Sequence, residues 1–402
     1  LAPGELPLSK RALERAVDLT LERLKGATVP VIWAGVEVQR FGLQDRLEAV
    51  IRTTGLPWTT DLLGKSVLSE EHPGFEGVFD GASAVKNVMD LFDASSWVLG
   101  LGNLVTDDFA VWVEKHYDNI ILAYGNSVRV GRKTFDDVPL AAFMDRLIAR
   151  LSERNYHAPA SAAAVLQKVP TPGEKARLRL SAMAPKAKVE ADQVTYDRFF
   201  ARMKDWVDDS MVLMADTSIA LSSAAELPVR LRDGFIAQAA WNSIGYTPGG
   251  AVGVGYASPE KKAVVFCGDG GFQEIAQAVS DIVRSGHDAV IFVFNNALYG
   301  IEQAFVDPYY FIPDAEGKRH PPEPFDLLHP WSYAKLTEVF GGGWGATVST
   351  VEELDAALVT AKENRGLSLI DLRIPQDSIT LQMLQQAGVN PTPPPTGKAK
   401  KK

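Results

Sequence analysis

Cysteine is nearly absent from this sequence of 402 residues, which contains only Cys267. A single cysteine excludes an internal disulfide framework and is consistent with a reducing compartment, so we expect a cytoplasmic protein. The sequence also lacks any run of about 18 to 20 apolar residues, and its first residues do not form a signal-peptide pattern. We therefore expect no membrane partner.

Basic residues are also fewer than acidic residues in this sequence. Lys and Arg number 41 against 50 Asp and Glu, which gives a formal net charge of −9. An acidic surface argues against a nucleic-acid partner, which would need a basic face. The hydrophobic fraction of 46% and the charged fraction of 23% are ordinary for a globular protein, and the length allows two domains with separate cores. These proportions fit a soluble enzyme.

The alternation of apolar and amphipathic segments predicts an α/β protein with two doubly wound domains, each built on a mostly parallel sheet. Between the domains lies a proline-containing stretch without an apolar strand, which we predict to be a linker. The predicted parts are a lead-in helix within 1–26, a central Rossmann-like domain over 27–152, the linker over 153–192, a second α/β domain over 193–380, and a C-terminal tail over 381–402 with a disordered end.

One strand–helix–strand unit of the second domain has polar residues at both of its turns. A predicted strand is followed directly by Gly268-Asp269-Gly270-Gly271, and a helical pattern then covers residues 272–285. The next strand leads into Asn295-Asn296. Because ligands collect beyond the carboxyl ends of parallel strands, we expect Asp269 and Asn296 to lie on the same side of the sheet.

Such an arrangement suits a metal ion together with an anion. Glycines let backbone N–H groups approach an anion, and the helix that begins at Phe272 directs its positive end toward the same place. One carboxylate and one amide oxygen form a hard-oxygen set for Mg²⁺ or Ca²⁺, which then takes its remaining ligands from phosphates. The pattern therefore predicts a Mg²⁺–diphosphate site. The alternative is a pair of unrelated tight turns, which the spacing around one strand–helix–strand unit disfavours.

The same residues resemble the signature of thiamine-diphosphate enzymes, which is Gly-Asp-Gly, a helix, a strand and Asn-Asn. The continuation Tyr299-Gly300-Ile301-Glu302 is similar to the branch that decarboxylates pyruvate, indolepyruvate and phenylpyruvate. The segment Trp241-Asn242-Ser243-Ile244-Gly245-Tyr246 resembles that family's Trp-Gly-Ser-Ile-Gly-Phe, and Leu63-Gly64-Lys65-Ser66 resembles part of its central domain. The resemblance covers most of residues 27–380 and implies a central domain followed by a diphosphate-binding domain.

The resemblance also implies roles for individual residues. Asp269, Asn296 and the backbone carbonyl of Leu298 would bind Mg²⁺. Glu302 would face the substrate as an acid–base group, a role that calls for partial burial. Ile244 would be the apolar residue that bends thiamine diphosphate into a V. The residues implied in cofactor binding are Gly268, Gly270, Gly271, Thr217, Ser218, Asn242, Ser243, Ile244 and Leu298.

The sequence departs from the family pattern at three places. Leu298 and Asn242 each stand where the family has Gly, and residues 303–330 form a longer insertion than the plain decarboxylases carry. The insertion begins with aromatic residues, namely Phe305, Tyr309, Tyr310 and Phe311. These aromatics would either line the site for a bulky or aromatic substrate, or pack against a partner subunit.

A pyrimidine-binding domain precedes the central domain in the resembled family. It supplies a glutamate for the cofactor and, in the decarboxylases, a His-His pair, whereas none of the six histidines here are adjacent. We therefore expect a separate subunit to carry that domain, in a hetero-oligomer of α2β2 form or larger, and this chain alone to be nearly inactive. A truncated sequence is the alternative.

Three functions are compatible with these features. The first is the large, diphosphate-binding subunit of a decarboxylase or lyase that acts on a 2-oxo acid or a hydroxy ketone; Glu302 favours decarboxylation over a carboligase or benzaldehyde-lyase-like activity. The second is a non-catalytic structural subunit, which the intact Asp269 and Asn296 disfavour. The third is a dinucleotide-binding central domain, for which Gly100-Leu101-Gly102-Asn103 is a weak signal because the third glycine is missing.

Overall fold

The structure, a computed structural model, describes residues 6–158, 192–313 and 316–389. Most of the predicted linker, residues 159–191, and the predicted disordered end, residues 390–402, lie outside the described residues. Two α/β domains account for the rest, which confirms the predicted fold class. Within the described residues, no helix has the length and apolarity needed to cross a membrane.

The first domain is a seven-stranded sheet with helices on both faces. Its strands are β1 (Pro30–Ala34), β2 (Trp58–Thr60), β3 (Phe75–Val78), β4 (Trp97–Leu101), β5 (Ile120–Tyr124), β6 (Ser127–Val130) and β7 (Lys133–Asp136). Its helices are α1 (Lys10–Leu24), α2 (Val36–Arg40), α3 (Gln44–Thr54), α4 (Lys86–Ala94), α5 (Ala110–His116) and α6 (Leu140–Glu153). The strand order is β3-β2-β1-β4-β5-β6-β7, in which β1 to β5 are parallel and β5, β6 and β7 pair antiparallel.

The central strands of this sheet are apolar along their whole length because both faces are covered. Every residue of β1 and of β4 is buried. On one face α1, α3 and α6 contribute Leu13, Leu47 and Leu147 to the core. On the other face α4 and α5 contribute residues such as Val88 and Trp112. The predicted lead-in helix is thus α1, and it packs within the central domain.

The second domain is a six-stranded sheet in which every pair is parallel. Its strands are β8 (Met211–Ala215), β9 (Phe235–Ala237), β10 (Lys262–Gly268), β11 (Ala289–Asn295), β12 (Trp344–Val348) and β13 (Leu367–Arg373). Its helices are α7 (Tyr196–Trp206), α8 (Ala220–Ala224), α9 (Tyr246–Ala257), α10 (Asp269–Ile275), α11 (Ala278–Ser285), α12 (Gly300–Val306), α13 (Leu336–Val339) and α14 (Val351–Glu363). The strand order is β12-β13-β11-β10-β8-β9.

That strand order creates a switch point between β8 and β10. The chain leaves β8 toward β9 on one side, whereas β10 leads to β11 on the other side. Loops that follow β8 and β10 therefore diverge and leave a crevice at the carboxyl edge of the sheet, where open α/β sheets bind ligands.

Two further features hold the first domain against the second. A helix that the sequence did not predict, α15 (Leu381–Gln386), contacts the single helical turn Gly81–Ser83 of the first domain. Lys65 and Glu70 form a buried ion pair within the first domain, and both bond to the second domain: Nζ of Lys65 donates to the Leu227 carbonyl at 3.0 Å, and Glu70 accepts a hydrogen bond of 2.9 Å from the Val229 N–H. Next to α15, Asp80 of the first domain borders the crevice.

Candidate functional site

Asp269 and Asn296 lie next to each other at the tips of neighbouring strands. β10 and β11 are parallel partners in which Gly268 is in register with Phe294. Asp269 follows β10 directly, Asn296 follows β11, and the N–H of Ala297 donates a hydrogen bond of 2.7 Å to Oδ2 of Asp269. The structure therefore places both side chains on the same edge of the sheet.

Asp269 is a buried carboxylate that forms no ion pair with any residue that the structure describes. Asp269 is only 2% exposed, and its Oδ1 accepts a hydrogen bond of 2.9 Å from the Gly270 N–H. Burial raises the pKa of Asp269 to about 7, although backbone N–H groups of Ala297 and Gly270 oppose the shift. A divalent cation would remove this cost by compensating the buried charge.

The loop after β11 offers the other oxygen ligands. Oδ1 of Asn296 accepts a hydrogen bond of 3.2 Å from the Leu298 N–H, so the amide oxygen is held at the strand tip. Leu298 is buried, which suits a residue that would contribute only its backbone carbonyl. The left-handed φ of this loop, 54°, falls on Ala297, and the Leu that replaces the family's Gly at 298 is therefore unstrained. One carboxylate, one amide and one carbonyl oxygen fit Mg²⁺.

The glycines after β10 are required by close packing as well as by access to backbone N–H groups. A Cβ on Gly270 would lie 2.3 Å from Cε1 of Tyr299, and one on Gly271 would lie 2.4 Å from Oδ2 of Asp216. The helix predicted over 272–285 is two helices, α10 and α11, with a break at residues 276–277. Gly286 ends the second helix in a left-handed conformation, as the pattern predicts.

A loop before α9 carries Asn242, Ser243 and Ile244. Ile244 is 39% exposed and lines the crevice, while Gly245 has a φ of 80° and donates its N–H to Oδ2 of Asp216 at 2.8 Å. Asn242 has a φ of 50°, a conformation that Asn tolerates better than most residues, which accounts for its place where the family has Gly. Ser243 is exposed and does not line the cavity.

Thr217 and Ser218 form the turn between β8 and α8 and face the same cavity. The hydroxyl of Thr217 donates to the carbonyl of Gln238 at 3.3 Å, and that of Ser218 donates to the carbonyl of Asp216 at 3.2 Å. A Cβ on Gly268 would lie 3.2 Å from Cβ of Ser218, so this turn packs against the glycine turn. The hydroxyl groups of the turn after β8 and the backbone N–H groups of the turn after β10 thus border one space.

That space is a cavity of about 490 Å³. Of the predicted site residues, all except Ser243 line it: Thr217, Ser218, Asn242, Ile244, Gly268, Asp269, Gly270, Gly271, Asn296, Leu298 and Glu302. Among the described residues that line it, none is Lys, Arg or His. The described lining thus contains the carboxylates of Asp80, Asp107, Asp108, Asp269 and Glu302 and no cationic side chain.

Glu302 lies in the first turn of α12 and faces the cavity, but its side chain is exposed. Glu302 thus lacks the partial burial that we expect of an acid–base group, as far as the residues that the structure describes are concerned. The aromatic side chains at the start of the insertion do not all face the cavity. Phe305 lines the cavity, whereas Tyr310 and Phe311 pack into the core of their own domain.

Sequence reasoning missed several residues near this cavity. Asp80, Asp107 and Asp108 of the first domain line it beside Gln386 of α15, because the packing of the two domains brings them there. Burial, with the neighbouring carboxylates of Asp108 and Asp61, raises the pKa of Asp80 to about 7. Asp216, buried behind the cavity, had no motif to mark it, although its position directly after a buried strand was a signal.

The weak dinucleotide signal in the first domain does not correspond to an open crevice. β1 and β4 lie at the switch point of that sheet, and a Cβ on Gly35 would lie 2.4 Å from the Cα of Asn103 and from the carbonyl oxygen of Gly102. The loops after the two strands therefore touch and leave no space for a diphosphate between them.

Comparison with known proteins agrees with this geometry. Residues 218–372 match the family described as thiamine pyrophosphate enzyme, C-terminal TPP binding domain, and residues 17–151 match the family described as thiamine pyrophosphate enzyme, central domain. Thiamine pyrophosphate is another name for thiamine diphosphate. The first match contains the strand tips of β10 and β11, and the second contains the sheet of the first domain.

Curated relatives are similar over nearly the whole chain. A probable pyruvate decarboxylase of Schizosaccharomyces pombe is 25% identical over 96% of this chain and 65% of its own length. Indole-3-pyruvate decarboxylase of Azospirillum brasilense is 26% identical over 92% of this chain and 63% of its own length. Pyruvate decarboxylase 3 of Arabidopsis thaliana is 24% identical over 94% and 60%, respectively. The chain thus spans less than two thirds of the length of these relatives. With its central domain and its C-terminal cofactor-binding domain, the chain belongs to the thiamine pyrophosphate enzymes.

Proposed function

We propose that this chain is the diphosphate-binding part of a thiamine-diphosphate-dependent decarboxylase or lyase, which cleaves a carbon–carbon bond next to a carbonyl group. The observation that carries the proposal is the pair of adjacent strand tips, where the buried carboxylate of Asp269 lies beside Asn296 and no Lys, Arg or His is among the described residues that line the cavity. The named relatives, which are pyruvate and indole-3-pyruvate decarboxylases, support the same class of reaction. A cytoplasmic location is part of the proposal, and the buried free thiol of Cys267 is compatible with it.

Asp269, Asn296 and the carbonyl of Leu298 would hold Mg²⁺. The diphosphate would bind to this metal ion and would accept a hydrogen bond from the N–H of Gly271. The hydroxyls of Thr217 and Ser218 border the same space, and each would donate to a phosphate oxygen by turning away from the carbonyl to which it donates in this structure. Ile244 lines the crevice next to Gly271 and presents an apolar surface on which the cofactor would bend.

When bound, thiamine diphosphate supplies the nucleophilic carbon and the electron sink that carbon–carbon cleavage next to a carbonyl requires. The chain itself contributes a proton carrier, because Glu302 points into the cavity from the first turn of α12. The carbonyl of Asn242 is the proposed acceptor for the cofactor's amino group. Covering the exposed carboxylate of Glu302 with another protein surface would exclude water from the place of proton transfer.

The proposed substrate is a 2-oxo acid, with a preference for a bulky or aromatic side chain. Phe305 supports this preference, because it is 52% exposed and lines the cavity near Glu302. Tyr310 and Phe311, by contrast, pack into the core of their own domain. Only part of the insertion would therefore contact the substrate.

We also propose that the pyrimidine-binding domain is carried by a separate subunit, in a hetero-oligomer of α2β2 form or larger. Exposed apolar side chains support such a partner: Trp241 is 82% exposed, Ile244 is exposed and lines the cavity, and Tyr246 and Tyr256 are exposed on α9. A partner seated there would cover the open side of the cavity and the side chain of Glu302.

A titration and an assay test the proposal together. Thiamine diphosphate should bind in a Mg²⁺-dependent manner in isothermal titration calorimetry, and release of CO₂ from pyruvate or indole-3-pyruvate should require the chain mixed with its partner. Full decarboxylase activity of the chain alone would contradict the separate subunit. Absence of Mg²⁺-dependent binding in the mixture would contradict the cofactor site.

A further inference from the structure

Asp216 lies behind the cavity, directly after β8, and is fully buried. Its carboxylate accepts hydrogen bonds from two other elements: the thiol of Cys267 on β10 and the segment at the start of α9. Oδ2 accepts from the Gly245 N–H at 2.8 Å, and Oδ1 accepts from the N–H and the hydroxyl of Thr247 at 3.1 and 3.2 Å. One side chain of β8 therefore anchors the end of the loop that carries Ile244.

The same carboxylate touches the glycine turn after β10. A Cβ on Gly271 would lie 2.4 Å from Oδ2 of Asp216, 3.0 Å from the nitrogen of Gly245 and 3.4 Å from Cβ of Ile244. The turn and the loop thus pack directly against each other, and the carboxylate of Asp216 lies at their junction. A shift of Asp216 would therefore disturb the contact between Gly271 and Ile244.

The residues that Asp216 anchors lie next to an exposed segment. Trp241, Asn242 and Ser243, just before Ile244, are exposed, whereas Gly245 and Thr247 are buried. Hydrogen bonds to an ionised carboxylate are stronger than those between neutral groups, and a buried carboxylate is costly unless its bonds compensate for lost hydration. The three bonds from Gly245 and Thr247 therefore hold the short segment that fixes the position of Ile244.

We infer that Asp216 is a positioning residue that sets the separation between the diphosphate-binding turn at Gly271 and the apolar support at Ile244. The inference rests on the proposed cofactor site, in which these two residues contact opposite parts of thiamine diphosphate. The simpler alternative is that Asp216 only stabilises the fold, as an acceptor for the first N–H groups of α9.

The variant Asp216→Asn separates these roles. The amide keeps the size of the carboxylate but can present an oxygen to only one of its two sets of donors, and its NH₂ group then faces either Gly245 N–H or the Thr247 donors. We expect the Kd for thiamine diphosphate with Mg²⁺ to rise on the order of tenfold. Magnesium pyrophosphate, which needs the metal ligands and the turn at Gly271 but not Ile244, should lose less than about threefold in affinity.

Asp61→Asn is the matched control. Asp61 is also buried and accepts a hydrogen bond from the Gly64 N–H at 2.6 Å and one from Nδ2 of Asn103 at 2.9 Å, but it lies in the first domain. Its variant should lower the Tm by a similar amount and leave the Kd of both probes unchanged.

The experiment uses the full chain, together with its partner where one copurifies, and compares calorimetric Kd values of both probes with the Tm. Unchanged affinity for thiamine diphosphate in Asp216→Asn would overturn the inference. Equal losses for both probes would also overturn it, because they would indicate a purely structural role. If the unaltered protein binds neither probe, the cofactor site itself fails and the inference falls with it.

Discussion

The two domains of this protein share a doubly wound sheet, but only one of them keeps an open crevice at its switch point. In the first domain, Gly35 packs against the backbone of Gly102 and Asn103, and the space between the diverging loops is filled. In the second domain, the loops after β8 and β10 border a cavity of about 490 Å³. Topology thus marks both places as candidate ligand sites, and the side chains and glycines of the loops decide which of them has room for a ligand.

The largest expected effect comes from removing the carboxylate at the open crevice. Asp269→Ala should weaken Mg²⁺-dependent binding of thiamine diphosphate by more than about 100-fold, because it removes the only carboxylate of the proposed ligand set. Isothermal titration calorimetry with and without Mg²⁺ measures this loss. Retained affinity would remove the metal assignment and, with it, the contrast between the two crevices.

Glu302→Gln should separate chemistry from binding within the open crevice. We expect kcat for 2-oxo acid decarboxylation to fall by about 10²- to 10⁴-fold, because the amide does not transfer a proton. The Kd of the cofactor should stay unchanged, since Glu302 is not placed at the metal or the diphosphate. Steady-state kinetics of the protein with its partner check the result, and a kcat close to that of the unaltered protein would assign the proton transfer elsewhere.

Two glycine substitutions compare the crevices directly. Gly35→Ala and Gly271→Ala each place a Cβ 2.4 Å from a neighbouring atom, so each should destabilise the protein by about 1–3 kcal/mol. Only Gly271→Ala should also weaken cofactor binding, by about tenfold. Denaturant unfolding and calorimetry on the same samples decide the matter, and a cofactor defect in Gly35→Ala would show that the first crevice takes part in binding.

The smallest effect is a pH dependence that originates in the closed crevice. Burial raises the pKa of Asp61 to about 7, while the unfolded chain has the ordinary value near 3.8. Between these values the folded state holds a proton that the unfolded state has lost, so this residue makes stability fall as pH rises from about 4 to about 7. Asp61→Asn should flatten that part of the curve of Tm against pH. An unaltered slope would assign the dependence to other buried carboxylates, such as Asp80.

Much of the fold could be predicted from sequence because buried parallel strands are apolar along their whole length. Strands such as β10 and β11 have this pattern and the structure contains them. The hairpin formed by β6 and β7 was not predicted, although Gly125 and Gly131, both with positive φ, mark turns beside those strands. Its strands are short and only partly buried, and they lack the continuous apolar pattern of the parallel strands.

The strand tips could also be predicted, since Asp269 and Asn296 follow directly from strand ends and parallel pairing. The contacts of Asp216 could not, because its partners lie 29 and 31 residues away and depend on how α9 packs. The approach of Asp80 and Asp108 to the cavity depends in the same way on the packing of the two domains. Local pattern thus predicts which residues end a strand, and tertiary packing decides which of them share a site.

A crystal structure of the protein with thiamine diphosphate and Mn²⁺, which stands in for Mg²⁺ and scatters anomalously, tests the central claim most directly. The account predicts one anomalous peak between the tips of β10 and β11, about 2.1 Å from oxygens of Asp269 and Asn296, with the diphosphate beside it. A cofactor bound with its metal ion elsewhere, or with these two side chains out of reach of the ion, would contradict it.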